Sequence, residues 1–280
     1  MARDPIDLHV DVRGDGFPIL MLHGHPGASG CLSVFAHRLS PRYRTICPDL
    51  RGYGRSRPRG AFEMDAHLED LEALLERLHV DRYLLLGWSL GGILALELAL
   101  RHGDRVAGVI GIATAARPRG SHPPVSRQDL AYTAVAGILN RLKPGWRWNI
   151  ETFGKRSLFR HLVRRQEPSV YRYLAREGVS AYLKTHPEAT RALQQALQQG
   201  YDRRSELDRV RCPCLWLAGD RDCHITPEAS RETALALADC QWICYRDTAH
   251  LFPWEIPERV CRDIETWLSD RPDLGAIAHV

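Results

Sequence analysis

The stretch Leu84-Leu85-Leu86-Gly87-Trp88-Ser89-Leu90-Gly91-Gly92-Ile93-Leu94-Ala95-Leu96-Glu97-Leu98 decides how this chain is read. A short apolar run stops at one hydroxyl, Ser89, and a longer apolar run follows it. A strand, then Gly-x-Ser-x-Gly, then a helix marks a sharp, strained turn that exposes its serine at the strand tip. Bulky side chains at 87 and 91 would collide with neighbouring backbone, so both positions are glycine. The helix that follows points its N-terminus at the hydroxyl, where its dipole and free N–H groups favour developing negative charge.

Around this stretch, short apolar runs alternate with amphipathic segments. Strands are predicted at 18–23, 43–47, 82–86, 106–112, 214–218 and 241–245, with an opening strand near 7–12. Helical spacing covers 61–78, 90–101, 227–237 and 257–268, and the last two begin with Pro227 and Pro257, suited to a helix entrance. Such alternation predicts a mostly parallel sheet covered on both faces. The pattern breaks over 117–205, where no strand is predicted. Four helical patterns occur there, at 126–142, 146–165, 169–184 and 187–201, punctuated by Pro123-Pro124, Pro144-Gly145, Pro168 and Pro187. The expectation is a core of residues 1–116 and 206–280 with a helical insertion, 117–205, between two strands. The tail after about Asp270 is expected to be loosely ordered.

At 280 residues and 44% hydrophobic, the chain can bury a sizeable core. The N-terminus, MARDPIDLHV, has no apolar secretory region, and no apolar run is long enough for a membrane span, so the cytoplasm is the expected location. Eight cysteines are scattered with no paired Cys-x-x-Cys set, which argues for reduced core thiols and against zinc. The net charge of +4 is unevenly placed: residues 117–205 hold 17 Lys+Arg and 6 Asp+Glu, a balance of +11, leaving −7 elsewhere. Arg160, Arg164 and Arg165 are spaced to share a helix face, with Arg156 one turn away. A basic insertion would attract an anionic or carrier-bound substrate; the plainer alternative is a solvated face without a partner.

A serine hydroxyl is a poor nucleophile at neutral pH and needs a base oriented by an acid. In this architecture the chain order is serine, acid, histidine. After the strand at 214–218 come Asp220 and Asp222, and after the strand ending at Tyr245 comes His250. His224 and His25 are alternative bases, but His250 follows the last strand. Both loops lie at strand ends, where a parallel sheet places its site.

These residues resemble the α/β-hydrolase-fold serine hydrolases along nearly the whole chain. The matching segments are His23-Gly24-His25-Pro26, Asp49-Leu50-Arg51-Gly52-Tyr53-Gly54-Arg55-Ser56, Gly219 with Asp222 and Pro227, and His250 with Glu255, Pro257 and Glu258. The elbow is similar to that of the pimeloyl-carrier methyl esterases. The resemblance implies an eight-stranded-type sheet and a helical cap over the serine. It implies Ser89 as nucleophile, Asp222 as acid, His250 as base, and the N–H groups of His25 and Leu90 as the oxyanion hole. His23 is expected to hold the oxyanion loop, and Asp49 and Arg51 to stabilise theirs. Dehalogenase and epoxide-hydrolase relatives carry aspartate at the elbow, which Ser89 argues against. The implied activity is hydrolysis of a carboxylic ester with a small or medium acyl group, with no metal or organic cofactor. Alternatives are a thioesterase, a carbon–carbon bond hydrolase, or a ligand receptor on the same fold. Nucleic acid is not an expected partner. The cap aromatics Trp146, Trp148, Phe153, Phe159, Tyr171, Tyr173 and Tyr182 are expected to divide between packing and an apolar pocket.

Overall fold

The computed structural model describes residues 4–121 and 125–275. Pro123-Pro124 and the end of the tail, 276–280, lie outside the described residues. Seven strands form one sheet: β1 (Val10–Arg13), β2 (Phe17–Leu22), β3 (Tyr43–Pro48), β4 (Tyr83–Trp88), β5 (Val106–Ile112), β6 (Cys214–Gly219) and β7 (Cys240–Tyr245). Their order is β1-β3-β2-β4-β5-β6-β7, with β1 antiparallel to β3 and all other pairs parallel. The eight-stranded expectation is therefore corrected to seven strands among the described residues. The chain before β1 spends its hydrogen bonds elsewhere: Ile6 N–H donates to Asp70 Oδ1 (2.7 Å) and His9 N–H to Ser56 Oγ (2.9 Å).

Helices in chain order are α1 (Ser33–Leu39), α2 (Asp65–Arg77), α3 (Leu90–His102), α4 (Arg127–Leu142), α5 (Arg147–Thr152), α6 (Pro168–Arg176), α7 (Gly178–Lys184), α8 (Pro187–Gln198), α9 (Pro227–Ala236), α10 (Phe252–Glu255) and α11 (Pro257–Ser269). Among the described residues none is long and apolar enough to cross a membrane. The central strands β4 and β5 read as continuous apolar runs because both faces are covered. Along β4, Leu84, Leu86 and Trp88 join one core layer with Phe35 of α1 and Ile264 and Trp267 of α11. Tyr83 and Leu85 join the other, with Leu71 of α2 and Leu94 of α3. The described part of the tail packs on the core at one point: Leu274 is buried and its N–H bonds Arg271 O, within a short 3₁₀ turn (Pro272–Gly275).

Between β5 and β6 the described residues form helices and loops and no strand, with two departures from the predicted pattern. The stretch 146–165 is not one helix: α5 is followed by two 3₁₀ turns, Gly154–Arg156 and Leu158–His161. The stretch 169–184 divides into α6 and α7, with Glu177 between them.

Strand β2 sits between β3 and β4, so the connections leaving β2 and β4 part over their carboxyl ends. That divergence opens the crevice in which open α/β sheets bind ligands. The first turn of α3 lies hard against it. A Cβ on Gly91 would fall 2.0 Å from Leu22 O, and one on Gly87 would fall 2.3 Å from Gly91 O. Both obstacles are backbone, so neither can move cheaply. Gly137, within α4, has nothing within 4 Å of its ideal Cβ. Gly91→Ala should therefore lose about 1–3 kcal/mol of stability in urea titrations, while Gly137→Ala should be neutral or gain up to about 1 kcal/mol.

Candidate active site

Ser89 links β4 to α3 with φ 54° and ψ −116°. A non-glycine residue held there stores about 1–3 kcal/mol of strain. The surroundings enforce it: Ser89 N–H donates to Ile112 O at 2.8 Å, and the Thr114 hydroxyl donates to Ser89 O at 2.9 Å. Leu90 opens α3, so its N–H has no acceptor one turn back within the helix.

His250 follows β7 and Asp222 follows β6. His250 Nδ1–H donates to Asp222 Oδ2 at 2.8 Å, with both side chains buried. The other oxygen, Asp222 Oδ1, accepts the N–H groups of His224 (2.8 Å) and Ile225 (3.0 Å). Asp220, the alternative acid, instead accepts Thr248 N–H at 3.3 Å. Trp88 packs beside the His250 ring (5.8 Å between centroids) and edge-on to Trp254 (4.6 Å). His224 lies edge-on to His250 at 5.1 Å. A hydrogen bond from Ser89 Oγ to His250 is not among those of the described residues, though both residues line one cavity. Contacts of this kind are often long until the reacting complex draws them in.

Glu255 is a residue whose role sequence reasoning missed, although its spacing from His250 was part of the matched motif. Its carboxylate accepts Ala249 N–H (2.9 Å), next to His250, and the N–H groups of Arg164 (3.1 Å) and Arg165 (2.5 Å) from the insertion. Burial pushes its carboxyl above the usual range, against the pull of those donors. This also explains why the predicted arginine face fails. The backbone at 164 and 165 is bonded to Glu255 instead of continuing a helix. Arg160, in a 3₁₀ turn, pairs with Asp129 (2.8 Å), Arg164 pairs with Asp247 (2.8 Å), and Arg165 donates to Asp247 O.

The loop after β2 is strapped by His23. Its Nε2 accepts Leu50 N–H at 3.0 Å, so Nδ1 carries the proton and donates to Gly24 O at 2.9 Å. Burial lowers its pKa and keeps it neutral. Asp49 accepts the N–H groups of Ser29 (2.7 Å) and Arg55 (2.9 Å). Arg51 forms a buried two-pronged pair with Asp70 at 2.6 and 2.7 Å. Tyr53, fully buried, hydrogen-bonds His25 Nδ1 at 2.9 Å and touches the rings of His23 and His67.

The cavity over Ser89 has a volume of about 560 Å³, within the usual span for small-molecule sites. His25, Leu90 and His250 line it, with Phe159, Tyr173 and Tyr182 from the insertion. No Lys, Arg, Asp or Glu is among its lining residues within the described part of the chain. The pKa of His25 is lowered to about 4, first by burial and then by His23. Cys31 also lines the cavity, but burial raises its thiol to about 12, far too high for a thiolate nucleophile near neutral pH. Among the described residues no cluster of three or more His, Cys, Asp or Glu could hold a metal ion.

With this geometry the family can be stated. A family model described as alpha/beta hydrolase fold matches residues 18–257, and the chain belongs to that family. A haloalkane dehalogenase of Mesorhizobium japonicum is 28% identical over 272 residues, 94% of this chain and 87% of the relative. A pimeloyl-acyl-carrier-protein methyl ester esterase of Xanthomonas oryzae pv. oryzae is 32% identical over 235 residues, 82% of this chain and 86% of the relative. A thermophilic esterase from Thermogutta terrifontis, solved with malate bound, matches with a TM-score of 0.74 at 28% identity over 96% of this chain and 94% of its own. The protein is a hydrolase of this family.

His67, beneath Tyr53, has both ring nitrogens buried without a hydrogen-bond partner among the described residues. Burial, then His23 and Arg51, lower its pKa from 6.5 to about 3. The unfolded chain therefore takes up a proton as pH falls below 6.5 while the folded chain does not. Stability is full above that value and falls on acidification. Replacing the ring by His67→Leu should remove about 2 kcal/mol of the stability lost between pH 7 and pH 5, read from urea titrations at the two values.

Proposed function

We propose that the protein hydrolyses carboxylic esters of small or medium apolar acyl groups through a Ser89–His250–Asp222 triad, with 117–205 acting as the cap. The observation that carries this is the Asp222-bound imidazole of His250 and the Ser89 elbow opening on one apolar cavity. His250 takes the Ser89 proton as the hydroxyl attacks the ester carbonyl. The N–H groups of Leu90 and His25 receive the oxyanion. As the tetrahedral adduct collapses, His250 gives that proton to the leaving alcohol. Water then attacks the acyl-serine, its proton passing to His250, and the acid departs as Ser89 recovers its proton.

Serine also bears on which relative's chemistry this chain can share. A serine that displaced halide from a saturated carbon would become an ether, with no carbonyl for water to attack. Attack on an acyl carbon leaves an ester, which water can cleave. Ser89 therefore favours acyl transfer over dehalogenation. The absence of charged residues from the cavity lining among the described residues favours a neutral acyl group. An anionic or carrier-borne part of a substrate would lie outside the cavity. A thioester fits the same chemistry.

The test is a p-nitrophenyl ester series from acetate to dodecanoate. Turnover should peak at an intermediate length. Ser89→Ala should lower kcat by about 10⁶-fold and Asp222→Asn by about 10⁴-fold. Asp220→Asn, which keeps an acceptor for Thr248 N–H, should stay within about twofold of wild type. An Asp220 variant as impaired as the Asp222 variant would overturn the assignment of the acid.

A further inference from the structure

Helix α4 turns its polar side inward and its apolar side out. Asp129, Thr133 and Asn140 face the protein. Asp129 pairs with Arg160 at 2.8 Å, Thr133 Oγ1 accepts Leu158 N–H at 3.0 Å, and Asn140 Oδ1 accepts Gly145 N–H at 3.0 Å. The opposite face presents Leu130, Ile138 and Leu142, which are 54%, 64% and 78% exposed. Ala131, Ala134 and Val135 fill the same exposed side. At 1.5 Å per residue this stripe runs for about 18 Å. Trp148 of α5, which packs against α4, is 51% exposed.

The stripe has a basic border. Arg127 stands at one end and Arg141, Lys143 and Arg147 at the other, all exposed and none in an ion pair among the described residues. No acidic residue occurs from 130 to 150. The stripe also adjoins the cavity wall. Thr133, Ala136 and Gly137 of α4 line the cavity, as do Val125, Tyr182 and Leu197, which are themselves exposed apolar side chains. Exposed apolar area of this extent, bordered by cations, marks an interaction surface rather than ordinary solvent-facing helix.

We propose that this face of the cap docks onto an anionic lipid surface. Leu130, Ile138, Leu142 and Trp148 enter the boundary between headgroups and acyl chains, while Arg127, Arg141, Lys143 and Arg147 meet the anionic headgroups. Charge selects this occupant over a second copy of the chain, which would set these cations against their own kind. Docking in this pose brings the cavity to amphiphilic esters held in the surface. That last consequence rests on the esterase reading; the docking does not.

The experiment is co-sedimentation with vesicles of phosphatidylcholine alone and of phosphatidylcholine with phosphatidylglycerol. It compares wild type with the double variant Ile138→Glu/Leu142→Glu. Circular dichroism and turnover of a water-soluble ester report that the variant folds, since both residues are exposed and outside the cavity lining. Wild type should partition onto the anionic vesicles, weakly onto neutral ones, and less as salt is added. The double variant should lose at least about tenfold in partition with its circular dichroism unchanged. Failure of wild type to bind anionic vesicles overturns the proposal, as does equal binding by the variant. A wild-type dimer in sedimentation equilibrium that the variant abolishes would assign the face to a second copy and also overturn it. If vesicles bind while no ester is turned over, the esterase reading fails and the docking stands.

Discussion

The close approach of α3 to the ends of β2 and β4 is the constraint on which the rest depends. It exists because residues 87 and 91 carry no Cβ, leaving the backbone of Leu22 and of Gly91 itself in the space. That approach forces the chain to reverse within one residue, and Ser89 takes the positive φ that results. Strain at a single residue is tolerable because the hydrogen bonds of the Ser89 N–H and carbonyl are made on both sides of the turn. The same geometry sets the serine at a helix N-terminus and at the point where the sheet's connections diverge.

Around that junction, buried polar groups are satisfied by backbone as much as by one another. Asp222 accepts two N–H groups besides the His250 ring, and Asp49 and Glu255 likewise hold loops by their N–H groups. Carboxylates used this way fix loop shape more firmly than exposed ion pairs would. Burial is the first cause lowering the pKa of the imidazoles around Tyr53; for His23 it outweighs the Gly24 carbonyl and Asp49, which pull the other way.

The sheet was legible because its central strands are contiguous apolar runs and each partner helix carries its own period; the exposed edge strand β1, Val-Asp-Val-Arg, has no such run, and it begins at Val10 within the expected 7–12 stretch. The placement of Ser89, Asp222 and His250 was legible for a related reason: each lies just beyond a strand end. What the sequence hid depends on contacts between distant segments. Residues 146–165 have helical spacing, but Glu255, about ninety positions away, claims the backbone at 164 and 165. The arginines of that stretch looked like an unpaired basic face, yet Asp129 and Asp247 take two of them. Helix α4 was located correctly within one residue of its start, while its inverted orientation could be seen only once Asp129 met Arg160 and Asn140 met Ala175 O on the inner side.

Glu255 has a consequence for how such proteins diversify. One carboxylate grips both the loop that presents His250 and the stretch of the insertion that crosses it. The insertion is thus not a detachable module resting on a finished hydrolase. A cap borrowed from another member could vary almost everywhere in sequence, because the grip uses backbone and is blind to side chains. It could not dispense with an extended pair of residues at that crossing without also loosening the loop that presents His250. Recombination of caps would then be limited by one local chain shape, not by the chemistry of the residues that line the pocket.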